Sequence, residues 1–208
     1  MNRIKAQLEK ELREAGWHSR GYLPHFDRTG IPQFITCHLG DSVPKQVVDR
    51  WRRELRKEES LDQQRLLQMR IETYVDQGYG AAYLKQPRIA TMIQNSLLHF
   101  DRERYRLSAW VVMPNHVHLL ATVCEGHSLS DIMHSFKSYT AHEANKMLRR
   151  NGQFWFEDYF DRFIRDQKHF ANAVRYIESN PVKAKLCARP EDWPFSSAWF
   201  RAHQEENE

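Results

Sequence analysis

"YRLSAWVVMPNHVHLLATV", residues Tyr105 to Val123, reads as two β-strands folded back on each other. Tyr105–Met113 and His116–Val123 are rich in β-branched and aromatic residues, and Pro114-Asn115 supplies the turn between them. Residues two apart in a strand share a face, so His116 and His118 stand abreast while Val117 and Leu119 point the other way. Two imidazoles in a strand built for a core are costly unless hydrogen bonds or an ion satisfy them.

Working outward, Gln33–Leu39 ("QFITCHL") is a further strand, and Pro87–Phe100 is a helix with Ile89, Ile93, Leu97 and Phe100 at helical spacing. After the hairpin, Ser128 and Asp131 form a capping box that opens a helix. Its core stripe is Leu129, Ile132, Phe136 and Met147, and Gly152 ends it. Tyr159–Ile164 is a strand, and Lys168–Ser179 a helix that stops at Asn180-Pro181. The charged stretch from Pro44 to Gln77 is helical, with a break near Ser60, and residues 1–16 form a polar helix ending at Gly16. With the stretch at about 44–80 set aside as a helical insertion, the order is β-α-β-β-α-β followed by a helix. This predicts an α+β fold: one ferredoxin-like, RRM-like antiparallel sheet with helices on one face, plus the insertion and a C-terminal helix. One domain spans 1–208, and the bare face of its sheet is free to carry a site.

Composition narrows the class. Of 208 residues, 41% are hydrophobic and 12% aromatic, as a packed core requires, and the net charge of +4 tilts mildly toward a polyanionic partner. Cys37, Cys124 and Cys187 are scattered and odd in number, which argues against a disulfide framework and for a reducing cytoplasm. "MNRIKAQLEKELREAGW" has no apolar core and is not a signal peptide, and no apolar run approaches the roughly 20 residues of a membrane span. No membrane role is expected.

An HxH pair in a strand can ligate a divalent metal, or it can be two structural histidines. Leu119-Leu120 follow it, which excludes an HxHxDH metallohydrolase. His142-Glu143 begins an HExxH motif, but Lys146 occupies its last position. The second clue is "RYIESNPVKAKL", Arg175–Leu186. On that helix Phe170, Val174 and Ile177 make an apolar stripe; Tyr176 points well away from it, with Asn180 one turn later on its own side. A tyrosine off the stripe and paired with an amide is a candidate for chemistry, although packing would also account for it.

These motifs together resemble the REP-associated tyrosine transposases of the single-tyrosine HUH superfamily, related to short insertion-sequence transposases. The resemblance rests on "VVMPNHVHLL", the Lys-bearing "SFKSYTAHEAN", "YFDRFIRD", "YIESNPVKAKL" and "WPFSSA" in that order, with 58 residues from His118 to Tyr176. It also takes in "YLPHFDRTGIPQFITCHLGDSVP" and runs from about Gly21 to Trp199. It implies that His116 and His118 bind a catalytic Mg²⁺ or Mn²⁺, that Tyr176 is the nucleophile, and that Asn180 stands where relatives place a Gln or Asn as a further ligand. The implied activity is transposase-type cleavage of single-stranded DNA at hairpin-forming palindromic repeats. It proceeds through a 5′-phosphotyrosine link that a 3′-OH can later reopen. Lys137, Arg162, Arg165, Lys168 and Lys183 are the expected DNA contacts, with Lys137 foremost. Trp155, Phe156, Trp193 and Trp199 are available either to stack on unpaired bases or to pack the core. Tyr139 and Tyr159 are rival nucleophiles, but Tyr139 continues its helix's core stripe and Tyr159 opens a strand. A monomer or homodimer is expected. The competing reading is a hairpin nucleic-acid binder, either non-catalytic or domesticated, on the same fold.

Overall fold

The computed structural model describes residues 17–19, 24–26, 28–56 and 63–204; the helix expected over 1–16 and the break near Ser60 lie outside them. Two short strands, β1 (Trp17–Ser19) and β2 (Pro24–Phe26), pair with each other. The main sheet has four strands: β3 (Pro32–His38), β4 (Tyr105–Val112), β5 (His116–Val123) and β6 (Phe160–Phe163). They lie in the order β4-β5-β3-β6 with every neighbour antiparallel. This is the expected ferredoxin-like sheet.

The crossover helices α3 (Pro87–Leu98) and α4 (Leu129–Leu148) share one face of the sheet. Ile35, Cys37, Val112, Val117, Leu119 and Ala121 from the strands meet Ile89, Ile93, Leu97, Met133 and Phe136 there. Pro87 begins α3 at the position where a missing N–H costs nothing. Ser128 Oγ accepts the Asp131 amide at the start of α4, as the capping box required. That helix ends at Leu148 with Arg149 in the left-handed region, three residues before Gly152. Its buried side runs Leu129, Met133, Phe136, Thr140, Ala144, so the observed stripe differs from the expected one. Tyr139, expected on that stripe, is 56% exposed.

The opposite face is not bare. α5 (Gln167–Lys183) lies across it, burying Ala173 and Ile177 against Phe34, Ala109, Val111 and Leu120. A β-bulge between Leu107 and Ala109 re-aims β4, so that Leu107 serves the first core and Ala109 the second. Beside α5, α1 (Lys45–Leu55) and α2 (Gln63–Val75) close a third cluster of Val48, Leu55, Leu67, Ile71, Val75 and Phe160. The charged stretch therefore packs on the sheet through β6 and does not merely decorate it.

α5 also runs through Pro181, where a stop was expected. The proline forfeits only its own N–H, and the Ala184 N–H to Asn180 O and Leu186 N–H to Pro181 O bonds resume behind it. Beyond, α6 (Ser197–Gln204) follows a segment that donates and accepts along the outer edge of β4. The Val112 amide donates to Phe195 O, and Trp193 Nε1 donates to Val112 O. An exposed sheet edge is thereby covered.

Candidate functional site

The pairing register decides what surrounds the two histidines. Antiparallel β3 and β5 place His38 opposite His116 and Thr36 opposite His118, all on the face toward α5. His116 and His118 are 1% and 0% exposed, with ring centroids 4.5 Å apart. The Nδ1 of His118 hydrogen-bonds Thr36 Oγ1 at 2.8 Å, and that of His116 hydrogen-bonds Asn115 Oδ1 at 2.7 Å. An amide oxygen only accepts, so His116 carries its proton on Nδ1 and keeps a lone pair on Nε2. Both Nε2 atoms are buried without a hydrogen-bond partner.

What they face is Asp76, in the turn immediately after α2. Its Oδ1 is 3.7 Å from each Nε2. The three donor atoms lie within 4.8 Å of one another. Two orphaned imidazole nitrogens converging with a carboxylate are a donor set suited to a divalent cation that accepts both N and O ligands. Burial keeps the His116 ring far below its ordinary pKa, helped by the neighbouring His118 and His38 rings, so it remains a neutral ligand. His38 is itself pushed down to about 4, chiefly by burial; its Nδ1–H donates to Leu39 O, and its Nε2 is unpartnered.

Tyr176 comes to the same place from α5. Its hydroxyl donates to the other Asp76 oxygen, Oδ2, at 2.8 Å. Its ring meets His118 and Phe34 edge-on, at 5.4 and 5.7 Å between centroids. The face that α5 turns to the sheet is centred on Ala173, Ile177 and Asn180; Tyr176 sits on its flank, roughly 60° from that centre at ~100° per residue. In the sequence the small Ala173 and the polar Asn180 conceal this face, so the Phe170, Val174 and Ile177 stripe alone points Tyr176 away from the core. Burial, then the Asp76 carboxylate, pushes the phenol well above its ordinary pKa. Asp76 is held below the usual carboxylate range: burial opposes this, but the His118 ring, the Tyr176 hydroxyl and Lys183 prevail.

The remaining expected site residues divide. Asn180 is buried one turn beyond Tyr176. Lys183 Nζ lies 4.5 Å from the Tyr176 ring centroid. Arg162, paired with Phe34 across β3 and β6, holds its guanidinium 5.4 Å from the Phe34 ring. Arg165 and Lys168 are exposed where α5 begins. Lys137 is elsewhere: it lies on α4, across the sheet, and its ammonium donates to the carbonyls of Glu157 and Asp158. Among the aromatics, Trp155 Nε1 donates to Thr140 Oγ1, Phe156 stacks on His38 and Trp199 stacks on His203. Tyr159 is buried within the first core.

Asp76, Glu72, His38 and Asn115 were missed in the sequence. Glu72 and Asp76, four apart, lie on the same side of the α2 end; burial raises the Glu72 pKa against the pull of His118 and Arg162. Nothing local marks an Asp before "QGYG" as the partner of histidines 40 residues away. Only the fold supplies that contact.

Comparison with known proteins finds relatives over part of the chain. A family model described as "Transposase IS200 like" matches residues 83–180. An Escherichia coli (strain K12) protein, "REP-associated tyrosine transposase", is 31% identical over 108 residues, covering 51% of this chain and 62% of its own length. A Haemophilus influenzae protein is 29% identical over 96 residues, 41% of this chain and 54% of its own. The chain thus spans less than two thirds of the curated relatives it matches. A solved structure described as a REP-associated tyrosine transposase bound to a REP hairpin superposes with a TM-score of 0.52 at 21% identity, covering 86% of this chain and 81% of the other. The chain is similar to the REP-associated tyrosine transposases, the family its motifs resemble. Among the described residues no helix is long and apolar enough to cross a membrane.

Proposed function

We propose that this chain is a metal-dependent single-strand DNA endonuclease and strand transferase of the REP-associated tyrosine transposase type. It acts in the cytoplasm at hairpin-forming palindromic repeats, as one domain with residues 44–80 as a helical insertion. One observation carries the reading: Asp76 reaches both orphaned His Nε2 atoms with Oδ1 and takes the Tyr176 hydroxyl on Oδ2.

His116, His118 and Asp76 would hold the cation, Mg²⁺ or Mn²⁺, and Asn180, buried one turn beyond Tyr176, is the candidate further ligand. Bound there, it would neutralise charge building up on a non-bridging phosphate oxygen. The protein's own groups do the rest. Phe34 and His118 hold the Tyr176 ring edge-on and fix the direction of its oxygen. Asp76 Oδ2 is placed to take the phenol proton as that oxygen attacks phosphorus. The P–O3′ bond breaks, the 3′ oxygen leaves and takes a proton from solvent to become a hydroxyl, and the 5′ phosphate stays on Tyr176. A later 3′-OH attacks that ester and releases the phenol, so strands rejoin without an external energy source. Arg162 and Lys183 flank the tyrosine and supply cationic contacts to the backbone, with Arg165 and Lys168 further along.

The test is a covalent adduct. Wild-type protein is incubated with single-stranded hairpin repeats and Mn²⁺, then run on a denaturing gel. An adduct that vanishes with chelator and in Tyr176→Phe supports the reading. An adduct that survives in Tyr176→Phe, or none from a panel of palindromic repeats, overturns it.

A further inference from the structure

Asn115, 1% exposed in the turn before β5, uses its carboxamide in three directions. Oδ1 accepts from His116 Nδ1 at 2.7 Å. Both Nδ2 hydrogens go to the end of α2 and the turn beyond it, to Val75 O and Tyr79 O, each at 3.0 Å. These two carbonyls bracket Asp76. The amide orientation follows from its partners: two carbonyls require the nitrogen, which leaves the oxygen for the ring N–H. The turn it grips is tight, with Gly78 in the left-handed region, and is pinned a second time where the Ala81 amide donates to Asp41 Oδ2. The Asn115 backbone is fixed in turn, its carbonyl accepting from the Leu39 amide and Ser42 Oγ.

One side chain therefore sets which nitrogen of His116 is free and also holds in place the turn that carries Asp76. We infer that Asn115 is a positioning residue that couples the segment after α2 to the histidine pair, so that the Asp76 arm and the His116 lone pair are assembled together. A helix pair lying 40 residues upstream thereby becomes part of the site, and loosening its last turn disassembles the donor set. The inference rests on the metal reading of His116 and His118.

Asn115→Asp separates the two duties: one carboxylate oxygen still accepts from His116 Nδ1, while the other repels the carbonyls of Val75 and Tyr79. Mn²⁺ affinity is measured by calorimetry for wild type, Asn115→Asp, Asp76→Asn and the double variant. Asn115→Asp is expected to lose about ten- to hundredfold, the range for removing a group that orients a ligand, and Asp76→Asn, which removes a ligand outright, at least as much. The double variant should be no weaker than Asp76→Asn alone, because both remove the same arm. Hydrogen exchange supplies a readout that needs no variant at Asn115: Mn²⁺ should slow the amides of 76–80 in wild type and not in Asp76→Asn. Losses that multiply in the double variant, unchanged Mn²⁺ affinity in Asn115→Asp, or exchange at 76–80 indifferent to Mn²⁺ would each overturn the coupling. Wild-type protein that binds no Mn²⁺ removes the metal reading and this inference with it; binding with multiplying losses removes the inference alone.

Discussion

The Tyr176 hydroxyl donates to Asp76 Oδ2 at 2.8 Å, joining α5 to the turn after α2 across the buried histidine pair. That single contact puts a proton acceptor on the candidate nucleophile and leaves the acceptor's other oxygen facing His116 and His118. It also makes the phenol harder to ionise before DNA arrives, because a carboxylate beside it disfavours a second negative charge.

Asp76→Asn therefore has opposite effects on two observables. Without the carboxylate's charge, the Tyr176 phenol titrates at lower pH, although burial still keeps it above the ordinary value. Adduct formation nonetheless falls, by the 10²–10⁴-fold typical of a lost general base. Tyrosinate absorbance in Asp76→Asn set against Tyr176→Phe isolates the first effect, and single-turnover adduct kinetics give the second. A variant whose phenol ionises more readily and which also reacts as fast as wild type would remove Asp76 from the proton path.

His116→Ala should abolish cleavage and lower Mn²⁺ affinity while leaving hairpin binding within about threefold of wild type. The ring contributes a ligand atom and packs beside His118, whereas the cationic residues near Tyr176 are untouched. Filter binding and the adduct gel, run on the same preparation, read the two separately. Simultaneous loss of both, in a protein that still melts cooperatively, would make the pair structural.

Lys137 and the pair Arg162/Lys183 are expected to fail in different assays. Lys137 is committed to the Glu157 and Asp158 carbonyls on the far side of the sheet, so Lys137→Ala costs about 1–3 kcal/mol of stability with the salt dependence of DNA binding unchanged. Arg162→Ala or Lys183→Ala instead lowers affinity uniformly and reduces the salt slope by roughly one each. Denaturant unfolding and binding titrations between low and moderate salt decide it. A reduced slope in Lys137→Ala would place DNA on that face as well.

Local periodicity made the sheet legible. The strand–turn–strand at Tyr105–Val123 and the helices around it follow from side-chain alternation and caps, and the facing of His116 with His118 follows from period two alone. Residues whose importance depends on register or on distant packing were not legible. His38 ends an ordinary strand and matters because β3 pairs with β5 so that it lies opposite His116. Asp76 follows a charged helix that reads as an insertion, and it enters the site only because Val75 and its neighbours pack on Phe160. Pro181 misled for a related reason: a proline near a helix's last turn loses one bond, and the buried Asn180 side of α5 continues past it.

The buried histidines also dictate an acid-sensitive fold in metal-free protein. His38 is neutral when folded, its pKa pushed down to about 4 by burial, and titrates near 6.5 when unfolded. A folded pKa below the unfolded one means that the unfolded chain binds the extra proton. Stability is then fully present above about pH 6.5 and is lost as the pH falls toward 4. For His38 alone the loss between pH 7 and 5 is about 2 kcal/mol. His116, held well below its ordinary value on the same face, adds to the fall. Denaturant midpoints of chelated protein measured across this window should drop steadily, and His38→Gln, which has no proton to take up, should fall less steeply by about the same 2 kcal/mol. Parallel curves for wild type and His38→Gln would mean that His38 is already solvated when the protein is folded.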